Sequence, residues 1–192
     1  MKRFGCLIAV GVVVVIVLAI ALGIAGMYNG LVTKSQAVDG QWAQVETQYQ
    51  RRYDLIPNLV ASVKGYLKQE LAVFTEITQA RTKYAGGQAS GDANQMAQAA
   101  SELEGALARL LVVVEDNPEI KSDTVIIGLM DELASTENQI SVERSRYNTA
   151  VRDYNTAVRS FPTNVLAGMF GFSPRDYFES VPDASKPPVV EF

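Results

Sequence analysis

The chain has no histidine and one cysteine in 192 residues. Without imidazole there is no Ser-His-Asp or Cys-His catalysis and no His-based metal site. A single cysteine, Cys6, cannot close an intramolecular disulfide, so cysteine usage does not report the redox compartment. Basic residues are also short. Setting Lys2 and Arg3 aside from the 17 Lys+Arg leaves 15, against 21 Asp+Glu. An acidic surplus of this kind argues against nucleic acid as a partner. Alternation of polar and apolar residues never persists beyond a few positions, which leaves little room for strands.

What the sequence does have begins with a charge-free run, CLIAVGVVVVIVLAIALGIAGMY, over residues 6–28. As a helix it spans roughly 34 Å, enough for the ~30 Å hydrocarbon core of a bilayer. It exceeds the ~7–15 apolar residues of a cleaved signal peptide, and Cys6 precedes the apolar core, where lipoprotein-type processing is not expected. The run is read as an uncleaved single-span anchor. Lys2 and Arg3 flank one side, while Lys34 with Asp39 lies on the other. Positive flanks stay in the cytoplasm. Residues 1–5 are therefore expected to be cytoplasmic, with the rest periplasmic or otherwise extracytoplasmic, on an inner membrane.

Beyond the anchor, helical spacing dominates. Leu31, Ser35, Val38, Trp42, Val45 and Tyr49 recur at alternating steps of four and three, and Ile56, Leu59, Val60, Val63, Leu67, Leu71, Phe74 and Ile77 continue one face. The pattern predicts a long helix reaching about Tyr84, kinked or broken near Pro57. A turn is expected over Ala85–Asp92, then a second helix over 93–115 with Met96, Leu103, Leu107, Leu110 and Val114 inward. Asp116-Asn117-Pro118 ends it, and Ser122 or Asp123 is expected to cap a third helix.

That third helix carries Ile126, Leu133, Ile140, Tyr147, Tyr154 and Phe161, each seven residues after the last. Its end repeats itself. Tyr147-Asn148-Thr149-Ala150-Val151-Arg152 returns as Tyr154-Asn155-Thr156-Ala157-Val158-Arg159 before Pro162 stops the helix. Seven residues return a helix to nearly the same face, so the duplication reads as a packing seam. The fold class is all-α: a transmembrane helix, then an elongated antiparallel bundle of three to four long helices over 29–162. A short apolar helical segment follows over 163–180, with a helix opening at Ser173-Pro174. Residues 181–192 form an extended tail.

Arg51-Arg52-Tyr53-Asp54-Leu55-Ile56-Pro57-Asn58-Leu59-Val60, followed by Val63-Lys64-Gly65-Tyr66, resembles the signature of the LemA family. Trp42, Arg109-Leu110-Leu111, Val114-Glu115, Glu132-Leu133, Thr136-Glu137-Asn138-Gln139-Ile140, Tyr147-Asn148 and Phe161-Pro162 are similar to it as well. Asn117 departs from the pattern, because the family often has an aromatic there. The resemblance implies a membrane-anchored bacterial helical bundle and assigns no catalytic residue. Members include proteins of magnetosome membranes and proteins found with membrane proteases.

The residues singled out are structural or interaction candidates. Arg51, Arg52, Tyr53, Asp54 and Pro57 are expected to form a charge network with Glu137 or Glu143, or else part of a subunit interface. Acidic pairs such as Glu102 and Glu104 read as a solvated face. Tyr147, Asn148, Tyr154, Asn155 and Phe161 form the seam, with hydroxyls met by facing helices and asparagines setting register. Asn138 is carried by the resemblance. Ala19, Gly23, Gly26 and Gly30 form an anchor-packing candidate. Met169, Phe170 and Phe172 cap the bundle, meet another subunit or dip into the membrane. The end, Val189-Val190-Glu191-Phe192, docks on its own or a neighbouring chain, or serves as a PDZ-type ligand.

No catalytic set, cofactor site or metal site is predicted. The expected function is a non-enzymatic membrane scaffold that self-associates into a homo-oligomer. The alternative is an adaptor for a membrane protease or another membrane protein. The expected partners are the lipid bilayer, further copies of the chain and another membrane protein.

Overall fold

In the computed structural model of the chain, residues 2–67, 71–90 and 93–178 are described. Among these residues six helices follow one another: α1 (Lys2–Lys64), α2 (Leu71–Ser90), α3 (Ala93–Glu115), α4 (Pro118–Lys121), α5 (Thr124–Arg159) and α6 (Thr163–Phe170). No strand occurs among the described residues. The molecule is all-α, as its periodicity requires. The tail 181–192, with Phe192, lies outside the described residues.

α1 is one helix from the apolar run into the bundle, and it passes through Pro57 without ending. Of the expected kink or break, the helix shows no break. A proline inside a helix costs about 3 kcal/mol. Ile56 and Leu59 beside it are wholly buried, and each such side chain contributes roughly 1.5–3 kcal/mol, so packing outweighs the local penalty. The helix stops instead at Gly65, where the Val63 carbonyl accepts the N–H groups of Tyr66 (3.0 Å) and Leu67 (3.1 Å). The single helix expected to reach Tyr84 is thus two, α1 and α2. Glycine's poor helix propensity, ~1 kcal/mol below alanine, makes position 65 the weak point.

The chain divides into two compact units, one of Met1–Trp42 with Asn148–Tyr177 and the other of Ala43–Tyr147 with Phe178–Phe192. In the second unit the end of α1, α2, α3 and the start of α5 form an antiparallel bundle. Cross-helix pairs show the directions. Gln88 meets Gln50, and Tyr84 meets Tyr53, while Lys64 lies over the Phe74 ring. Lys83 pairs with Glu102, and Arg109 with Glu76. The core holds Val45, Ile56, Leu59 and Val63 from α1 and Phe74 and Ile77 from α2. From α3 come Met96, Leu103, Leu107, Leu110 and Val114, and from α5 Ile126, Leu133 and Ile140. These are the predicted faces.

The turn between α2 and α3 is shorter than expected, because α2 continues through Gly86 and Gly87 to Ser90. Gly87 is where the two helices close on each other. A Cβ there would lie 3.1 Å from the Gln95 carbonyl oxygen and 3.3 Å from the Ala99 Cβ. Between α3 and α5 the chain makes an extra turn, α4, with Pro118 in its first positions and Ile120 buried. Asp123 caps α5, its Oδ1 accepting the N–H groups of Val125 (2.8 Å) and Ile126 (3.1 Å). The Tyr66 hydroxyl donates to Asp123 Oδ2 at 2.6 Å. That bond and the two backbone N–H groups hold the Asp123 carboxyl below the usual range.

In the first unit, Leu31 and Val38 of α1, Val151, Tyr154 and Val158 of α5, and Ala167 of α6 form the core. α6 ends at Gly171, whose φ of 76° is the left-handed conformation that favours glycine. Its neighbour's amide, on Phe172, bonds back to the Ala167 carbonyl at 2.9 Å. The helix expected at Ser173-Pro174 is absent, and residues 172–178 are irregular. Side chains from α5 take their backbone groups instead.

Candidate functional site

Two polar constellations interrupt the apolar packing. The first lies in the bundle unit. Arg52 of α1 pairs with Glu137 of α5 through Nη1 and reaches Glu104 Oε1 of α3 at 3.3 Å. Arg144 of α5 lies 3.5 Å from the same Glu104 oxygen and donates to the Tyr49 hydroxyl. Its guanidinium also sits 4.6 Å from the Phe178 ring centroid. Beside it, Arg81 lies 4.3 Å over the Tyr53 ring, which stacks on Tyr84 at 5.4 Å. One carboxylate thus serves two arginines, and three helices meet at it.

Burial pushes the Glu104 carboxyl above the usual range, and the Glu137 charge adds to this, against the pull of Arg144 and Arg52. Burial likewise pushes the Tyr49 hydroxyl up to about 12, although Arg144 opposes it. A tyrosine used as a base or nucleophile needs the opposite shift. What this arrangement can do chemically is tie helices together in one register. Among the described residues, no group of three or more His, Cys, Asp or Glu side chains is placed to hold a metal ion.

The second constellation lies in the anchor unit. The Tyr154 hydroxyl donates to the Ser173 carbonyl at 3.0 Å. Asn155 accepts the Arg175 N–H at Oδ1 and donates to the Arg175 carbonyl from Nδ2, both at 2.8 Å. Arg175 in turn pairs with Asp39 of α1 at 3.1 Å. The sequence leads one to expect bonds from the repeat across to facing helices. Its second copy instead clamps the irregular segment after α6.

The remaining predicted residues fall as follows. Arg51 pairs with Glu132 at an exposed position, and Asp54 accepts from Gln50. Glu143 pairs with Arg146 on its own helix. Tyr147 is buried and Asn148 half-buried. Phe161 leaves the stripe. It lies beyond the last residue of α5 and is 84% exposed. Ala19, Gly23, Gly26 and Gly30 lie on open helix surface, with nothing within 4 Å of a Cβ at the three glycines. Met169 and Phe170 are exposed and Phe172 is half-buried.

Asn138 lies on the outward face of α5 with Asp131, Ala134, Ser135, Gln139, Val142, Glu143 and Arg146. This face lies roughly opposite the buried stripe positions Leu133 and Ile140. Glu104 and Arg144 are the residues that sequence reasoning misses, because it places Glu104 on a solvated face. The available signal is their position at the edge of a buried stripe, one residue after Leu103 and four after Ile140.

The helix α1 contains a stretch long and apolar enough to cross a membrane, and this is a membrane protein. The chain is similar to magnetosome proteins MamQ 1 and MamQ 2 of Paramagnetospirillum magneticum, with 27% identity in each case over 83% of this chain and 67% of the relative. It is also similar to magnetosome protein MamQ of Magnetospirillum gryphiswaldense, at 24% identity over the same shares. The family model LemA family matches residues 41–192, most of the chain and all of its bundle unit, so the chain belongs to the LemA family.

Proposed function

We propose that this protein is a non-enzymatic scaffold that self-associates at an inner membrane, with its N-terminus cytoplasmic and its helical part outside the cytoplasm. The observation that carries the reading is the exposed outward face of α5. Ala134, Ser135, Asn138 and Val142 give it small and uncharged side chains at helical spacing, which is the surface a partner helix needs. Asp131, Glu143 and Arg146 at its margin supply charges of both signs, so a second copy can match it. The Tyr49 hydroxyl favours the same reading, because burial raises it and a tyrosine acting as a base or nucleophile needs the opposite shift. Neither the family's name nor its relatives' names specify a reaction.

Extraction of the full-length protein in mild detergent, followed by mass photometry, tests this. Particles of several chains are expected, and Val142→Arg should reduce them to single chains without loss of helix content. Single chains from the unaltered protein would refute the scaffold. A stoichiometric foreign protein in the particle would favour the adaptor reading. Orientation is tested by membrane-impermeant maleimide on spheroplasts carrying Ser90→Cys with Cys6→Ser. Labelling only after lysis would reverse the proposed topology.

A further inference from the structure

From Ser160 to Ser173 no side chain is charged. This stretch contains α6, and within its own unit it sits at the top of the apolar span. Tyr28 closes that span, and its ring meets Phe170 at 5.0 Å and Phe172 at 5.8 Å, both edge-on. From Gly11 to Gly30 every α1 residue is exposed except the half-buried Met27. The first buried side chain is Leu31, 1% exposed. The uncharged run therefore ends within one helical turn of where protein packing begins. On a membrane-spanning helix, that is the level at which hydrocarbon gives way to head groups.

α6 stands at this level with one side bare. Phe161, Val165, Met169 and Phe170 are 84%, 55%, 73% and 52% exposed. No charge interrupts the patch. The nearest basic residue on the C-terminal side, Arg175, is drawn to Asp39. Asp39 lies eleven residues past Tyr28 on α1, roughly 16 Å of helix rise. The polar strap thus climbs away from the span, whereas the apolar helix stays at its base. An uncharged aromatic and aliphatic face beside the end of a membrane helix matches the interfacial zone, where such faces bury to a depth of about 5–10 Å. Continuity with the span favours lipid over a second protein as the occupant.

We propose that α6 and Phe161 form a foot seated in the lipid interface beside the anchor. The chain then touches the bilayer twice, through α1 and through α6. This contact is independent of self-association along α5.

Depth-resolved fluorescence quenching tests the proposal. The full-length protein is reconstituted in phosphatidylcholine vesicles containing a lipid brominated near the carbonyl ends of its acyl chains. Its native tryptophan is removed by Trp42→Phe, and a reporter is placed by Met169→Trp. Val165→Trp serves as a second reporter in case the first disturbs folding. Leu22→Trp, exposed within the span, and Gly40→Trp, above it, set the scale. The proposal expects both α6 reporters to be quenched nearly as strongly as Leu22→Trp and several-fold more than Gly40→Trp. Quenching no greater than at Gly40 would overturn it. Protection from both bromolipid and aqueous acrylamide would also overturn it, because it would mean that another protein surface covers the foot.

Discussion

Asn155 on α5 and Arg175 in the segment after α6 hold each other twice, N–H to Oδ1 and Nδ2 to carbonyl, each at 2.8 Å. The amide side chain thereby takes the place of a neighbouring strand for one residue. Asn155 is 5% exposed, so both bonds are shielded from water. Removing it by Asn155→Ala leaves a backbone donor and acceptor without partners, at a cost of about 2 kcal/mol. A lower thermal midpoint by circular dichroism is expected, together with faster tryptic cleavage after Arg175. Unchanged cleavage would mean that the clamp does not hold the segment.

Arg51 and Arg52 are adjacent, yet their substitutions should differ. The Arg52 side chain is 11% exposed and faces Glu137 and Glu104, while that of Arg51 is 51% exposed and faces Glu132. Truncating one partner of a buried ion pair costs about 3 kcal/mol. Exposed pairs contribute about 1 kcal/mol or less. Urea unfolding in detergent should therefore show Arg52→Ala strongly destabilised and Arg51→Ala close to the unaltered protein. Equal losses would contradict the assigned burial.

Gly86 and Gly87 offer a sharper contrast. Both are inside α2, but a Cβ at Gly86 meets open space, whereas one at Gly87 meets α3 backbone at 3.1 Å. Gly86→Ala should stabilise by up to about 1 kcal/mol through helix propensity. Gly87→Ala gains the same propensity but forces α2 and α3 apart, a strain of about 1–3 kcal/mol. Opposite shifts in thermal midpoint are the expected result.

Glu104 makes stability depend on pH in a defined sense. Burial raises its carboxyl above the usual range in the folded chain. The native state then holds a proton that the unfolded state has already released, so this group's contribution falls as pH rises above the ordinary carboxylate value. The stability of the unaltered protein minus that of Glu104→Gln should decline with rising pH through that window. A difference that grew with pH would mean that Arg52 and Arg144 outweigh desolvation.

The Tyr-Asn repeat shows how far the sequence can be read. Its seven-residue period places Tyr147 and Tyr154 on one buried face, and both are buried. The period does not say what lies opposite. The second copy meets an irregular strap, which its own hydrogen bonds hold out of helix. Likewise Arg51-Arg52 announces a charge network, and Glu137 is among its expected partners. Glu104 is not, because its neighbours in sequence give it only an acidic look.

By itself, then, the sequence determined the apolar span, the helical character of the chain and the inward faces of its long helices. These follow from hydrophobicity and a 3.6-residue period, both local properties of the chain. Only the tertiary structure decided that α1 survives Pro57, that Glu104 serves two arginines, and that α6 stands beside Tyr28. Those outcomes depend on groups far apart in sequence, where packing energy competes with local penalties of similar size.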